Sequence, residues 1–178
     1  MKEIKRKQLS MALIAALGAS VMPTECLLQV AGKVQCMRVA ALRDALALPR
    51  TGDGGPSLLD LMLLYAQALF EQCAQTAACN RLHSLEQRCA RWLLMIHDRV
   101  PGDELLLTQE FLSYMLGVRR AGVTEACGTL ARGGLIRHRH GHITITDREG
   151  LEAASCECFQ VSVDAYEHLL GASLAACA

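Results

Sequence analysis

The sequence has few aromatic residues and little proline, and it has no excess of charge of either sign. Only 4% of its 178 residues are aromatic and four are proline. A core must therefore consist mainly of Leu, Ala, Val, Met and Cys, which favours helices. The hydrophobic fraction of 52% excludes a disordered chain. Eighteen basic and eighteen acidic residues cancel, which argues against binding of nucleic acid through bulk charge but leaves room for a local basic surface.

The nine cysteines lack the spacing of a disulfide framework or a zinc site. No CxxC pair occurs, and the one CxC, formed by Cys156 and Cys158, has no second pair to match it. Structural zinc sites and disulfide-rich domains usually show such paired spacing. The sequence therefore predicts no metal site and favours buried, reduced cysteines in the cytoplasm. A redox or iron–sulfur role is the alternative.

The N-terminus combines a basic segment, MKEIKRKQ, with an apolar one, LSMALIAALGASV. This order is typical of a secretory signal. The alternative is the start of a domain whose buried strand or helix lies there. The apolar segment is too short to span a bilayer as a helix, so no membrane association is expected.

Residues 57–81, SLLDLMLLYAQALFEQCAQTAACNR, contain no glycine or proline and predict one helix of roughly 37 Å. Ser57 is a suitable N-cap, and Asp60 gives a start similar to a capping box. Apolar residues on several sides indicate a dimer seam, with the core helix of a monomer as the alternative. The seam residues fall at three- and four-residue steps: Leu58, Met62, Tyr65, Leu69, Cys73 and Thr76.

Shorter elements are predicted on both sides of this helix. Short β-like runs at 24–37 precede a helix at 39–48 and a turn at 49–56, PRTGDGGP. After the long helix, 84–99 begins with a capping box of Ser84 and Gln87.

Residues 107–146, LTQEFLSYMLGVRRAGVTEACGTLARGGLIRHRHGHITIT, predict a helix-turn-helix followed by a β-wing. Thr108 caps a helix to about Leu116, and Gly117 supplies the turn. A second helix follows from about Arg119 to Arg132 and ends at two glycines. A hairpin with its tip at 140–141 completes the pattern.

Basic residues concentrate in this region. Between residues 119 and 148 there are six arginines against two acids, Glu125 and Asp147. The start of the second helix favours phosphate, and the helix is short enough for the major groove, so the pattern predicts binding of double-stranded DNA. The candidates for base contacts are Arg119, Arg120, Thr124 and Glu125, and those for backbone contacts are Thr108, Arg137, Arg139 and His140.

Each part of this pattern has another interpretation. A pair of arginines often lies at a solvent-exposed helix N-terminus that binds nothing. The histidines of RHRHGH can bind a metal. A winged helix can also bind another protein. The complete order of cap, helix, turn, helix, stop and wing is more specific than any part. No P-loop, dinucleotide-binding loop or Ser/His/Asp set occurs, so no enzyme is predicted.

The segments LEQRCARWLLMIHDRV and LTQEFLSYMLGVRRAGVTEACGTLARGGLIRHRHGHITITDREGLE closely resemble the C-terminal domain of the Crp/Fnr superfamily of bacterial transcription regulators. YAQALFEQCAQTAACNRLHS resembles the family's long dimerisation helix, and TECLLQVAGKVQCMRVAALRDAL the end of its effector-binding β-roll. The resemblance implies a mainly α (α+β) fold. It implies a truncated β-roll remnant at 1–56, the dimerisation helix at 57–82, and a winged helix-turn-helix with C-terminal helices at 83–178.

The resemblance also implies a cytoplasmic homodimer on a palindromic operator, with RNA polymerase as a further partner. Most of the β-roll is missing, so no effector pocket is expected. The region that would hold a cyclic nucleotide, SMALIAALGASVMPTEC, has no arginine, and no cysteine cluster for iron–sulfur precedes Cys26. Neither cofactor is therefore expected. The alternative function is an interaction protein that forms heterodimers with full-length relatives through the long helix.

Overall fold

The structure, a computed structural model, describes residues 37–49, 55–139 and 141–171. The described part is mainly helical and contains one three-stranded antiparallel sheet, which confirms the predicted fold class. Residues 1–36 and 50–54 of the predicted β-roll remnant, including nearly all of the β-like runs predicted at 24–37, lie outside the described residues. In chain order the elements are α1 Val39–Leu46, α2 Leu58–Leu82, α3 Leu85–His97, β1 Glu104–Leu106, α4 Gln109–Leu116, α5 Arg120–Arg132, β2 Ile136–Arg139, β3 His142–Ile145, α6 Arg148–Ala154 and α7 Cys158–Leu170.

The long helix α2 begins with the predicted capping box. The backbone N–H of Asp60 donates to Ser57 Oγ at 3.1 Å, and the backbone N–H of Ser57 donates to Asp60 Oδ2 at 2.9 Å. These bonds satisfy amide groups that have no partner inside the helix. Although α2 has 25 residues, neither it nor another helix in the described ranges has the sustained apolar length needed to cross a bilayer.

The main core lies between α3, α4, α5, α6 and the sheet. Its helices turn their apolar faces inward, because apolar residues recur at three- and four-residue steps along each of them. The buried side chains of this core include Cys89, Leu93, Leu94, Leu112, Leu116, Val123, Cys127, Leu130, Ile143 and Leu151.

The sheet has the strand order β1-β3-β2. The hairpin of β2 and β3 was predicted, and Gly141 at its tip has a φ of 84°, which suits glycine. The third strand, β1, was not predicted. Leu105 of β1 lies opposite Ile143 of β3, and both side chains are buried.

The last helix, α7, packs along α2. Tyr166 of α7 is buried beside Ala68, with Tyr65 packed against both residues. Near the start of α2, Met62 is 1% exposed and lies against Leu46 as well as its helical neighbours. Part of the predicted dimer seam therefore packs within its own chain.

Candidate nucleic-acid interface

The turn between α4 and α5 depends on Gly117. This residue caps α4 in the left-handed conformation, with φ 65° and ψ 36°, where a side chain would be strained. Val118 then packs against the core, and Arg88 of α3 donates to the carbonyl oxygen of Leu116. The turn is thus fixed on both sides, which sets the angle between the two helices.

One side of α5 is buried and the other is exposed. Val123 and Cys127 are fully buried, whereas Arg120, Thr124 and Glu125 lie on the exposed side. Because Val123 and Cys127 are packed in the core, the side chains of Arg120, Thr124 and Glu125 point away from the protein.

The N-terminus of α5 is open. Arg119 is its N-cap residue, is exposed, and makes no side-chain capping hydrogen bond. The Gly122 amide donates to the Arg119 carbonyl oxygen at 3.0 Å, which leaves the amides of Arg120 and Ala121 for an anion. The helix dipole favours negative charge at this end. Arg119 and Arg120 add two positive charges beside the same amides.

A side-chain contact links the starts of the two helices. The Thr124 hydroxyl donates to Gln109 Oε1 at 2.8 Å, and Thr108 caps α4 by accepting from the N–H of Phe111 at 3.1 Å. This contact places the Gln109 amide beside the exposed face of α5. Gln109 was not among the predicted residues; the available signal was its position directly after the N-cap of the first helix.

The β2–β3 hairpin also carries an exposed basic surface. Ile136 and Ile143 point into the core, while Arg137 and Arg139 of the edge strand are exposed. His140 lies outside the described residues. His142 is engaged by Glu104, with a distance of 2.7 Å between Nδ1 and Oε1.

Arg148 has an internal role. Its guanidinium lies 2.8 Å from Asp98 Oδ1 and 2.9 Å from Glu152 Oε1. Asp98 is 5% exposed, so Arg148 neutralises a buried charge and ties α6 to α3. By contrast, Arg119, Arg120, Arg137 and Arg139 form no ion pair within the described ranges.

Comparison with known proteins identifies this region. The Crp-like helix-turn-helix domain family matches residues 87–154. No curated protein matches significantly. Among solved structures, a CRP-family transcriptional regulator from Thermus thermophilus is 20% identical over 62% of this chain and 51% of its own, with a TM-score of 0.43.

Two further structures from the same organism show similar coverage. A CRP/FNR-family transcriptional regulator is 28% identical over 55% of this chain and 50% of its own, with a TM-score of 0.40. The catabolite activator protein is 21% identical over 70% of this chain and 47% of its own, with a TM-score of 0.36. The chain thus spans about half the length of the solved structures that it matches. The match to the Crp-like helix-turn-helix domain family covers residues 87–154, which hold the Gly117 turn, α5 and the β2–β3 hairpin.

Proposed function

We propose that this protein is a transcription regulator that binds a specific DNA sequence through α5. The exposed face of α5, which carries Arg119, Arg120, Thr124 and Glu125 at an uncapped helix start, is the observation that supports this function. At 13 residues, α5 is about 20 Å long and fits the major groove. Such a regulator acts in the cytoplasm, with RNA polymerase as its protein partner.

Each exposed side chain on α5 has a suitable base contact. A guanidinium donates two hydrogen bonds to O6 and N7 of guanine, which suits Arg119 and Arg120. The Glu125 carboxylate accepts a hydrogen bond from the amino group of cytosine. Thr124 and Gln109, already joined to each other, offer a hydroxyl and an amide for the same groove.

The hairpin and the N-cap of α4 contact the DNA backbone in this proposal. Arg137 and Arg139 supply positive charge for phosphates flanking the bases that α5 contacts. The Thr108 hydroxyl accepts from Phe111 and still has its proton to donate to a phosphate.

A second copy of the chain covers the exposed apolar face of α2. Leu59, Leu63 and Phe70 are 41%, 52% and 76% exposed. Together with Ala66, Cys73 and Ala77 they repeat at alternating steps of four and three residues, the spacing of a coiled-coil seam. A homodimer formed through this face presents two copies of α5 related by a two-fold axis, and such a dimer selects a palindromic operator.

Selection of bound duplexes from a random library tests the proposed function. Purified protein should enrich a palindromic motif at a fixed salt concentration, and light scattering should give the mass of a dimer. Absence of sequence enrichment contradicts specific DNA binding. A monomer that dimerises only when mixed with a full-length family member supports the heterodimer alternative, because the same apolar face serves both partners.

A further inference from the structure

Four metal-ligating side chains converge where α2 ends and α7 begins. Cys79 and His83 lie four residues apart at the end of α2. Cys158 is the first residue of α7, and Cys156 lies two residues before it. Their ligand atoms all lie within 4.8 Å of one another. We propose that these residues bind one Zn²⁺ ion through three thiolates and the Nδ1 atom of His83.

The distances suit a tetrahedral ion. Cys79 Sγ lies 3.5 Å from Cys156 Sγ, and Cys158 Sγ lies 3.5 Å from His83 Nδ1. Zinc bonds of about 2.3 Å to sulfur and about 2.1 Å to nitrogen place tetrahedral ligands roughly 3.5–3.8 Å apart. Cys79 lies in the last turn of α2 and His83 is the C-cap residue four positions later, so the end of α2 supplies two ligands without a CxxC motif. The CxC supplies the other two.

His83 is held in the orientation that a metal ligand needs. Its Nε2 atom lies 3.1 Å from Glu157 Oε1, while Nδ1 faces the cysteines. A proton shared with the carboxylate at Nε2 leaves the lone pair of Nδ1 for a metal. Histidine ligands in metalloproteins are commonly oriented by such a carboxylate. Gln75 Nε2 also donates to Cys158 Sγ at 3.0 Å, so this sulfur accepts a hydrogen bond from α2.

A buried arginine nearby matches the charge of the loaded site. Three thiolates, a neutral imidazole and Zn²⁺ together carry one negative charge. Arg91 is 1% exposed and interacts electrostatically with Cys79. It donates to Thr76 Oγ1 at 2.9 Å, but no carboxylate in the described ranges lies within ion-pair distance of it. A buried cation without a counter-charge is costly, and the metal–thiolate group would supply that charge.

The position of the site gives the ion a regulatory role. His83 caps the end of α2 and directly precedes Ser84, the N-cap of α3. An ion bound there fixes α2 against α7 at the point where the helix-turn-helix domain leaves the long helix. This role rests on the proposed function: metal removal should weaken operator binding because the direction of the DNA-binding domain is no longer fixed.

Metal titration of the full chain tests the site without using DNA. The reduced, metal-free protein should bind one Co²⁺ per chain, with thiolate-to-metal charge-transfer bands and the intense visible bands of tetrahedral cobalt. One equivalent of Zn²⁺ should abolish both sets of cobalt bands.

Glu157→Gln should weaken metal affinity about 10–100-fold, since the carboxylate orients the ligand rather than binding the ion. The matched control is Cys127→Ala, which removes a buried thiol from the separate Cys89–Cys127 pair and should leave the stoichiometry unchanged.

Several results would overturn the proposal. The first is the absence of cobalt bands in wild-type protein whose circular dichroism shows the helical fold. Another is a Cys79–Cys156 disulfide in freshly isolated, zinc-free protein, which would assign the pair to redox chemistry. Unchanged metal affinity in Glu157→Gln would remove His83 as an oriented ligand. Stoichiometric zinc binding together with operator binding that is indifferent to metal would overturn the regulatory role alone and leave the site standing.

Discussion

The rings of Tyr65 and Tyr166 pack with their centroids 6.2 Å apart and their planes inclined by 60°. This tilted contact joins α2 to α7 within one chain and adds to the burial of both rings. It occupies one face of the long helix, whereas Leu63 and Phe70 on the neighbouring face remain exposed. The two apolar faces of α2 thus have different roles: one packs inside the chain and the other is free for a partner.

We expect a Leu63→Glu, Phe70→Glu double variant to be monomeric. Two carboxylates in the proposed seam repel their copies and remove apolar burial of about 3–5 kcal/mol per chain. Light scattering after size exclusion measures the mass. Ala78→Glu, an exposed position on the same helix outside the seam, should remain a dimer. A double variant with the mass of a dimer would place the interface elsewhere.

The arginines at the start of α5 should determine both affinity and sequence preference. We expect Arg119→Ala or Arg120→Ala to cost about 1–3 kcal/mol on the selected operator and to relax the preference at one base pair. Fluorescence anisotropy with operator and scrambled duplexes, at one salt concentration, separates the two effects. Arg132→Ala, at the other end of α5, is the control, because its guanidinium contacts Thr129 of the same helix. Equal affinities for all three variants would contradict the assignment.

The arginines of the hairpin should act differently. Arg137→Ala or Arg139→Ala should weaken binding to operator and scrambled duplexes by the same factor, because phosphate contacts are independent of sequence. Each variant should also reduce the slope of log affinity against log salt by about 0.9. A change in base preference with an unchanged salt slope would show that these side chains contact bases instead.

Local patterns in the sequence predicted most elements of the described fold. The capping boxes at Ser57 and Ser84 and the glycine at 117 mark their helix ends within one or two residues, because such signals operate over a single turn. The strand β1 was missed for the opposite reason. It has three residues, too few for a visible alternation, and it pairs with Thr144 and its neighbours far along the chain.

The cluster of Cys79, His83, Cys156 and Cys158, where we propose a zinc site, could not be found from the spacing of residues in the sequence. Cys79 and Cys156 are 77 residues apart, and only the packing of α7 on α2 brings them together.

The sequence also could not show which arginines of the basic region have partners inside the protein. Arg148 was counted with the others, but its buried partner Asp98 precedes it by a whole winged-helix motif. Sequence patterns identify which residues are basic or thiol-bearing, whereas tertiary contacts decide which remain available.

Two glycine substitutions should change stability in opposite directions. A Cβ on Gly150 would clash with Asp147 Oδ2 and would lie 2.6 Å from Leu135 Cδ2. Asp147 is the cap of α6, so Gly150→Ala should destabilise the fold by about 1–3 kcal/mol. A Cβ on Gly128 would meet only Arg132 Nη1, at 3.4 Å, so Gly128→Ala should stabilise by up to about 1 kcal/mol. Urea denaturation measures both; the same sign for both variants would contradict the prediction.

The stability of the protein should fall at alkaline pH because of Tyr166. Burial, reinforced by the nearby Tyr65, raises the pKa of Tyr166 to about 12 from its ordinary value of 10.0. The folded state therefore retains a proton that the unfolded chain loses above about pH 10. This contribution is complete below pH 10 and is lost as the pH rises to about 12, by about 3 kcal/mol at most. The difference in unfolding free energy between wild type and Tyr166→Phe is measured in urea at pH 9 and pH 11. This difference separates the contribution of Tyr166 from those of other groups that titrate in the same pH range. A difference independent of pH would show that the ring ionises as readily in the folded chain as in the unfolded one.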